Sequence, residues 1–400
     1  MATTARLLRR SDAPQRATLL ELLYDVVFVA AFALTSTRLA ENLSWLAAAR
    51  TLVILMAIWW IWTSIVLLTN FYDPERAPIQ TIVTTTMLGV TLMAVATPSA
   101  FTGHAGVFAG AYVGIHLVKG ILLIAALRGE AHAEARARAA RFLFWFMVAG
   151  IAWIAGVLVD ATTQLILWAV AISVDVGASV ARYPTPRPWP GQVPVVQYEK
   201  AGEHFVERYR QVIILALGDL ILVPILRISG TGFDLPRIVA FLGAFAKALL
   251  LWQLFVHSTD ATSLEVERSR RGSGSRLAPY THFFLVAGVV LTVAGSELVI
   301  GRPTGDTPVS WVFVILGGPA VFVASRTIFE YILLDLVSKS RLAWLALLVA
   351  VSPAMVLLPP VFVALIATAI LLGIDVTDGL QFGWYLPRRS GDPTGEPRKG

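Results

Sequence analysis

The sequence predicts an all-α polytopic membrane protein with about twelve transmembrane helices in two six-helix parallel repeats. Three observations predict it. Of 400 residues, 56% are hydrophobic and only 14% charged, where a soluble domain carries about 25% charged residues. Twelve apolar stretches each approach the ~20 residues needed to cross a bilayer. The basic residues between those stretches alternate sides, as the positive-inside rule requires.

The first six spans cover 18–40, 46–69, 79–99, 105–127, 141–159 and 162–181. The second six cover 204–226, 236–257, 279–300, 309–334, 341–358 and 359–375. The last two abut, because Pro359 and Pro360 leave almost no loop between them. The chain then divides into an N-terminal tail (1–17), a first six-helix half (18–181), a linker (182–203), a second half (204–375) and a polar C-terminal tail (376–400). The linker is marked by the Pro- and Gly-rich run from Tyr183 to Gly202.

Charge tests the count. Of the 32 Lys and Arg residues, 24 fall on one side of this arrangement, in clusters such as Arg9–Arg10–Arg16, Arg136–Arg138–Arg141 and Arg268–Arg270–Arg271. Only Arg38, Arg50, Arg227, Arg237 and Arg302 fall on the other, and Lys119, Lys247 and Arg326 lie within spans. One error in the helix count would scramble the pattern. The rule places both termini and the linker in the cytoplasm. The net charge of +6 is therefore a topology signal and not a nucleic-acid footprint. Without cysteine, disulfides and thiolate metal sites are excluded. The basic N-terminus lacks a small-residue cleavage site after a short apolar core and is not read as a signal peptide. The expected surroundings are the lipid bilayer and a small-molecule, ion or lipid substrate.

The halves resemble each other. LLELLYD lies against FVERYRQ, matching Glu21 to Glu207; WTSIVLLT against WQLFVHST, matching Trp62 to Trp252; GVTLMAVA from Gly89 against GVVLTVAG from Gly288; and Lys119 matches Arg326. An even number of spans per half makes the halves enter the membrane in the same orientation. Parallel repeats of this kind occur in transporters, with the substrate site at the repeat interface.

Three segments resemble a known family: ATLLELLYDVVFVAAFALTSTRLA (17–40), TNFYDPERAPIQ (69–80) and HFVERYRQVIILALGDLIL (204–222). They are similar to the bacterial low temperature requirement protein A family, whose members carry patterns such as ELFFDLVFV and HLVERFGLFTIIVLGE. Glu21, Asp25, His204, Glu207 and Arg208 match those patterns. Asp219 stands where the family has glutamate, which keeps the charge and shortens the reach.

Ionisable groups at bilayer depth are costly and turn toward a partner or a water-filled cavity. Glu21 and Asp25 are four apart and share a helix face. By helical rise, Lys119, Asp175, His282, Arg326 and Glu330 lie at comparable depth, with His204, Glu207 and Arg208 at the start of the seventh span. Asp219 lies deeper, about 22 Å in, with Lys247 its nearest match; Glu297 lies near the outer surface. The expectation is one polar cavity between the halves, in which Asp25, Glu21, Glu207 and Asp219 supply acid chemistry and Lys119, Arg326, His204 and Arg208 hold substrate. The structural alternative is a set of interhelical ion pairs, with Trp59, Trp60 and Trp62 as packing. No histidine pair has metal-ligand spacing, so no metal site is predicted, and no cofactor is specified.

Phosphate-loop, dinucleotide and hydrolase motifs are absent; GSGS at 272–275 reads as flexible linker. Three functions compete. The first is a proton- or cation-coupled secondary transporter, against which neither half's first span shows a Gly/Pro break at the midplane. The second is an intramembrane enzyme on a lipid or isoprenoid diphosphate, a membrane-bound cyclase or transferase, with Glu21 and Asp25 on Mg²⁺ and Lys119 and Arg326 on phosphate. The third is a scaffold or sensor, which the lack of a large soluble domain disfavours.

Overall fold

The computed structural model describes residues 7–9, 16–185, 203–257, 273–334 and 338–382. Most of the expected 182–203 linker, residues 258–272 and residues 383–400 lie outside the described residues. The first half contains α1 (Leu19–Glu41), α2 (Trp45–Phe71), α3 (Ala77–Ala96, continued by a 3₁₀ turn Thr97–Ser99), α4 (Ala105–Ala126), α5 (Ala133–Val157) and α6 (Ala161–Val180). The second contains α7 (Glu203–Leu217), α8 (Asp219–Thr231), α9 (Leu235–His257), α10 (Ser273–Gly301), α11 (Val309–Leu334), α12 (Lys339–Val351, continued by a 3₁₀ turn Ser352–Leu357) and α13 (Pro360–Phe382). Taking α7 and α8 as one span, twelve helical segments among the described residues are long and apolar enough to cross a membrane. No strand forms among the described residues; the one isolated bridge joins Leu8 to Tyr72.

Several ends differ from the hydropathy reading, all for one reason. Apolarity reports the thickness of the lipid, whereas a helix continues as long as its residues favour it. α5 starts at Ala133 because the Ala-, Glu- and Arg-rich turn before Phe142 is strongly helix-forming. α10 starts at Ser273, so most of the expected flexible GSGS run forms its first turn. α13 runs past residue 375 to Phe382 and carries Asp375 and Asp378 inside the fold.

Buried and exposed positions are inverted relative to a soluble protein. Leu88, Val95, Ile151, Leu226, Leu242, Val349 and Phe362 face outward, while Glu21, Asp25, Lys119, Asp175, Arg208, Asp219, Lys247 and Arg341 are buried. Such an outer surface matches lipid tails, and the inward charges avoid them. α10 is the most enclosed span and α12 among the most peripheral. α10 packs closely on α11 because three glycines remove side chains at the crossing: a Cβ on Gly288 would lie 2.7 Å from the Phe322 nitrogen, one on Gly295 3.1 Å from the Ile315 Cα, and one on Gly318 2.5 Å from the Thr292 nitrogen. Small residues let helix backbones approach where dispersion, not water exclusion, drives association.

The two halves meet along α1, which packs on α10, α7 and α8, and along α2, which packs on α7 and α10. A twofold axis along the membrane normal would return the α1–α10 face as one between α3 and the seventh span. Among the described residues no comparable face forms there.

Candidate functional site

The first charged group is built by the start of α1. Thr18 caps the helix in extended conformation, and its Oγ1 accepts from the Glu21 N–H at 3.3 Å. Glu21 Oε2 reaches back to accept from the Thr18 N–H at 2.9 Å. This reciprocal capping box satisfies two of the helix's orphan donors. Asp25 follows one turn later on the same face. Across from them, α7 offers His204 and Arg208, also four apart. His204 Nε2 lies 3.2 Å from Glu21 Oε1. Arg208 donates Nη1 to Asp25 Oδ2 and Nη2 to Asp25 Oδ1, each at 2.8 Å. Trp62 Nε1 adds a third bond to Asp25 Oδ1 at 2.8 Å. The 21–204 and 25–208 pairings run in the same direction, so α1 and α7 lie parallel and in register.

Both side chains of the Asp25–Arg208 pair are fully buried. A buried ion pair holds only when geometry is good and further hydrogen bonds satisfy the remaining lone pairs. Asp25 meets both conditions, while Arg208 Nε has no hydrogen-bond partner among the described residues and faces Glu21 Oε1 at 3.8 Å; Trp59, Trp62 and Tyr209 pack around the pair, with ring centroids 4.8 Å apart for Trp59–Trp62 and 4.9 Å for Trp62–Tyr209. Above it, the Arg9 N–H donates to Phe71 O at 3.0 Å, and the Asp73 N–H donates to Leu7 O at 2.9 Å. This ties residues 7–9 over the same end of the bundle and brings Arg9 within the field of Glu21. The arrangement is an anchor between halves: its acid oxygens already face cations and N–H donors.

The other expected members of the cavity lie elsewhere. Glu207 points away, about one-third exposed, bonded by Gln211 at 3.0 Å and near Arg210 at 3.5 Å. Lys119 lies beyond α2, donating to Ser64 Oγ at 2.7 Å and 3.1 Å from His116 Nδ1. Asp175 accepts from the Tyr112 hydroxyl at 2.6 Å. Arg326 pairs with Glu330 at 3.0 Å, and Glu330 with Arg341 at 2.5 Å; Arg341 also pairs with Asp378 on α13. His282 is packed between Tyr209 and Phe329. Glu297 lies near Thr37 and Arg227 at the opposite end of the bundle. The single polar layer therefore resolves into separate clusters, because α2 and its tryptophans stand between Asp25 and Lys119. Depth along a helix was readable in the sequence; azimuth around the bundle was not. Asp378 and Arg341 were missed for the same reason as the end of α13.

Asp219 is different. The seventh span tightens at Gly218, which keeps right-handed helical torsion angles (φ −60°, ψ −27°): the Gly218 N–H bonds to Leu215 O at 2.9 Å in a 3₁₀-type turn, and the Ile221 and Leu222 N–H groups bond to Gly218 O at 3.0 and 2.9 Å. A Cβ on Gly218 would lie 2.9 Å from Leu215 O, so a side chain would not fit the tightened turn. Pro224, inside α8, removes a further N–H from the ladder. The seventh span is continuous from His204 to Thr231, as expected, with this tightened turn inside it. The signal was the sequence Gly218-Asp219 followed by Pro224. Asp219 sits just after the tightened turn, 2% exposed. Its Oδ1 has no hydrogen-bond partner among the described residues. Lys247, buried on α9, forms no ion pair with it. By helical rise Asp219 is about 22 Å from one end of this span, close to its middle.

Among the described residues, no group of three or more His, Asp or Glu side chains is disposed to hold a metal ion. The diphosphate reading needs Glu21 and Asp25 open to Mg²⁺, and both are engaged by partners.

Twelve apolar spans, a lipid-matched exterior and inward-turned charges define a polytopic integral membrane protein. The chain belongs to the bacterial low temperature requirement A protein (LtrA) family, whose model matches residues 16–376. A protein of Rhizobium meliloti (strain 1021), described as uncharacterized protein RA0937, is 28% identical over 327 residues, covering 79% of this chain and 78% of the relative. No solved structure matches.

Proposed function

We propose that this protein is a proton- or cation-coupled secondary transporter of the bacterial cytoplasmic membrane, with both termini cytoplasmic and halves 18–181 and 204–375 that descend from a duplication. The observation that carries the reading is Asp219, a buried carboxylate with an oxygen left unpartnered, beside the tightened Gly218 turn and Pro224 of the seventh span. Gly/Pro-interrupted spans near the middle of the membrane are where secondary transporters place substrate and ion sites. An acid there has lost its hydration without a fixed counter-charge, so a proton or cation is its natural complement. The Asp25–Arg208 cluster is the fixed joint on which the halves pivot, and Asp219 is the coupling group.

The parallel, in-register α1 and α7 support the repeat, as do Gly89 and Gly288. Gly89 faces Ile115 of α4, and Gly288 faces Phe322 of α11, so matched glycines serve matched crossings. The test needs no substrate. Purified protein in proteoliposomes on a solid-supported membrane is given a pH or Na⁺ jump. The wild type should give a transient charge displacement that Asp219→Asn loses. A wild type with no displacement, or a variant that keeps it, overturns the reading.

A further inference from the structure

A second incomplete acid lies in the first half, away from Asp219 and from the joint between halves. Asp175 on α6 is 0% exposed. Its Oδ2 accepts from the Tyr112 hydroxyl at 2.6 Å, and its Oδ1 has no hydrogen-bond partner among the described residues. No cation among them lies at ion-pair distance from it. The titratable and charged groups that bear on it are Tyr112 and Lys119, both on α4. Among the described residues α2 and α5, which pack on α6, add none, and Tyr280 of α10 meets α6 at Ser179, about one turn further on.

Lys119 links this acid to a second feature. Helices α2, α4 and α5 and Tyr183 enclose a partly open cleft at the end of the bundle where α1 begins. Its free volume is about 50 Å³, room for a water or two. Lys119, His116, Ser64 and Tyr72 line it, whereas Asp175 does not. A buried water needs ~2–4 polar partners, and these four side chains supply them. Lys119 Nζ donates to Ser64 Oγ at 2.7 Å and lies 3.1 Å from His116 Nδ1. An ammonium has three N–H donors, and these contacts use two. Lys119 therefore has the cleft on one side and the field of Asp175 on the other. A purely structural pair would close the two charges on each other. Here the acid keeps an open oxygen, the lysine keeps an open donor, and its four-carbon stem is flexible.

We propose that Asp175 is a second proton-binding site, served by water in this cleft through Lys119. In the transfer, Lys119 Nζ gives a proton to Asp175 Oδ1 and takes one back from the cleft water, which is replenished from the bulk. One N–H bond breaks as the carboxyl O–H forms, and one water O–H breaks as the N–H is restored. Lys119 ends as the ammonium it was at the start, and the proton gained by Asp175 comes from outside the protein. Tyr112 holds the other carboxyl oxygen in place throughout. The site stands on its own geometry and does not rest on the transport reading.

The test uses the full-length protein in micelles and infrared difference spectroscopy in acidic buffer, where the carboxyl is protonated. Asp175 is identified by the carboxylic C=O band that Asp175→Asn removes. On a jump from H₂O to D₂O that band shifts as the acid proton is exchanged, and the rate of the shift reads proton access. Lys119→Met should slow the shift at least tenfold. Leu123→Trp, which fills the cleft with an apolar ring, should slow it as well. Asp219→Asn should leave the rate as it is, which separates a failure of this site from a failure of the transport reading. The absence of any band lost in Asp175→Asn, or an unchanged rate in either Lys119→Met or Leu123→Trp, overturns the proposal. Circular dichroism checks the fold of each variant, and should Lys119→Met fail to fold, Leu123→Trp decides by the same criterion.

Discussion

Asp25 and Asp219 are aspartates of the same protein, both buried and both on the first span of a half, yet they stand in opposite relations to their surroundings. Asp25 receives three donated hydrogen bonds, two of them from a guanidinium. Asp219 has an oxygen with none among the described residues. An acid whose interactions are complete contributes to the fold and has no capacity left for chemistry. An acid left incomplete beside a tightened helical turn does little for the fold and keeps that capacity. Burial alone does not separate the two, since Asp25 is 0% and Asp219 2% exposed; the count of donors does.

The largest effect expected from this contrast is at Arg208. Replacing Arg208 by methionine leaves Glu21 and Asp25 facing each other in the joint with only His204 and the more distant Arg9 to offset them. Breaking a buried pair from one side costs about 3–5 kcal/mol, so Arg208→Met should insert poorly and unfold at a markedly lower temperature. Near wild-type stability for Arg208→Met would break the comparison at its root. Asp25→Asn should cost less, about 1–3 kcal/mol, because the amide still accepts from Trp62 and Glu21 Oε1 remains 3.8 Å from Arg208 Nε. Denaturant titration in micelles distinguishes the two variants.

Much of this was legible in the sequence. Twelve spans follow from apolar length, and i, i+4 spacing puts Glu21 and Asp25 on one helix face; their pairing with His204 and Arg208 comes from the structure. Even the capping role of Glu21 was written in Thr18-Leu-Leu-Glu21. What could not be read was which helix faces stand across from one another. Lys119 and Arg326 share a depth with Asp25 and yet belong to other clusters, because rotation around the bundle is set by packing among many helices at once. The tightened turn at Gly218 was visible as Gly218 and Pro224, but its position inside a continuous span shows only when the hydrogen bonds are traced.

A third aspartate calibrates the pair from the water side. Asp160 lies outside the spans, capping α6. The Thr163 hydroxyl, donating at 2.6 Å, and the N–H groups of Thr163 and Thr162, at 3.2 and 2.9 Å, hold its carboxyl below the ordinary range. A lowered folded value means the cap's contribution is fully present above the unfolded value of ~3.9 and is lost as pH falls through the folded one. Asp160→Ala should therefore be less stable than the wild type at neutral pH, by less than Asp25→Asn, and the difference should vanish on strong acidification. A difference that persists there would mean that the cap acts through something other than the ionised carboxylate.

The smallest effect on folding is expected at Asp219, and it is the most informative. A carboxylate in the middle of a span with an unpartnered oxygen has given up water without gaining donors, which is a net cost to the folded state. Asparagine keeps the size and the polar oxygen and removes the charge. Asp219→Asn should leave the unfolding midpoint unchanged or raise it, where the chemically identical change at Asp25 lowers it. The same substitution thus has opposite signs at two buried sites, and the comparison needs only two variants and one assay. If Asp219→Asn proves as destabilising as Asp25→Asn, Asp219 has structural partners after all, and its claim to be the coupling group falls. If it is neutral for folding and abolishes the charge displacement, the cost of keeping an incomplete acid in the membrane is accounted for by what that acid does.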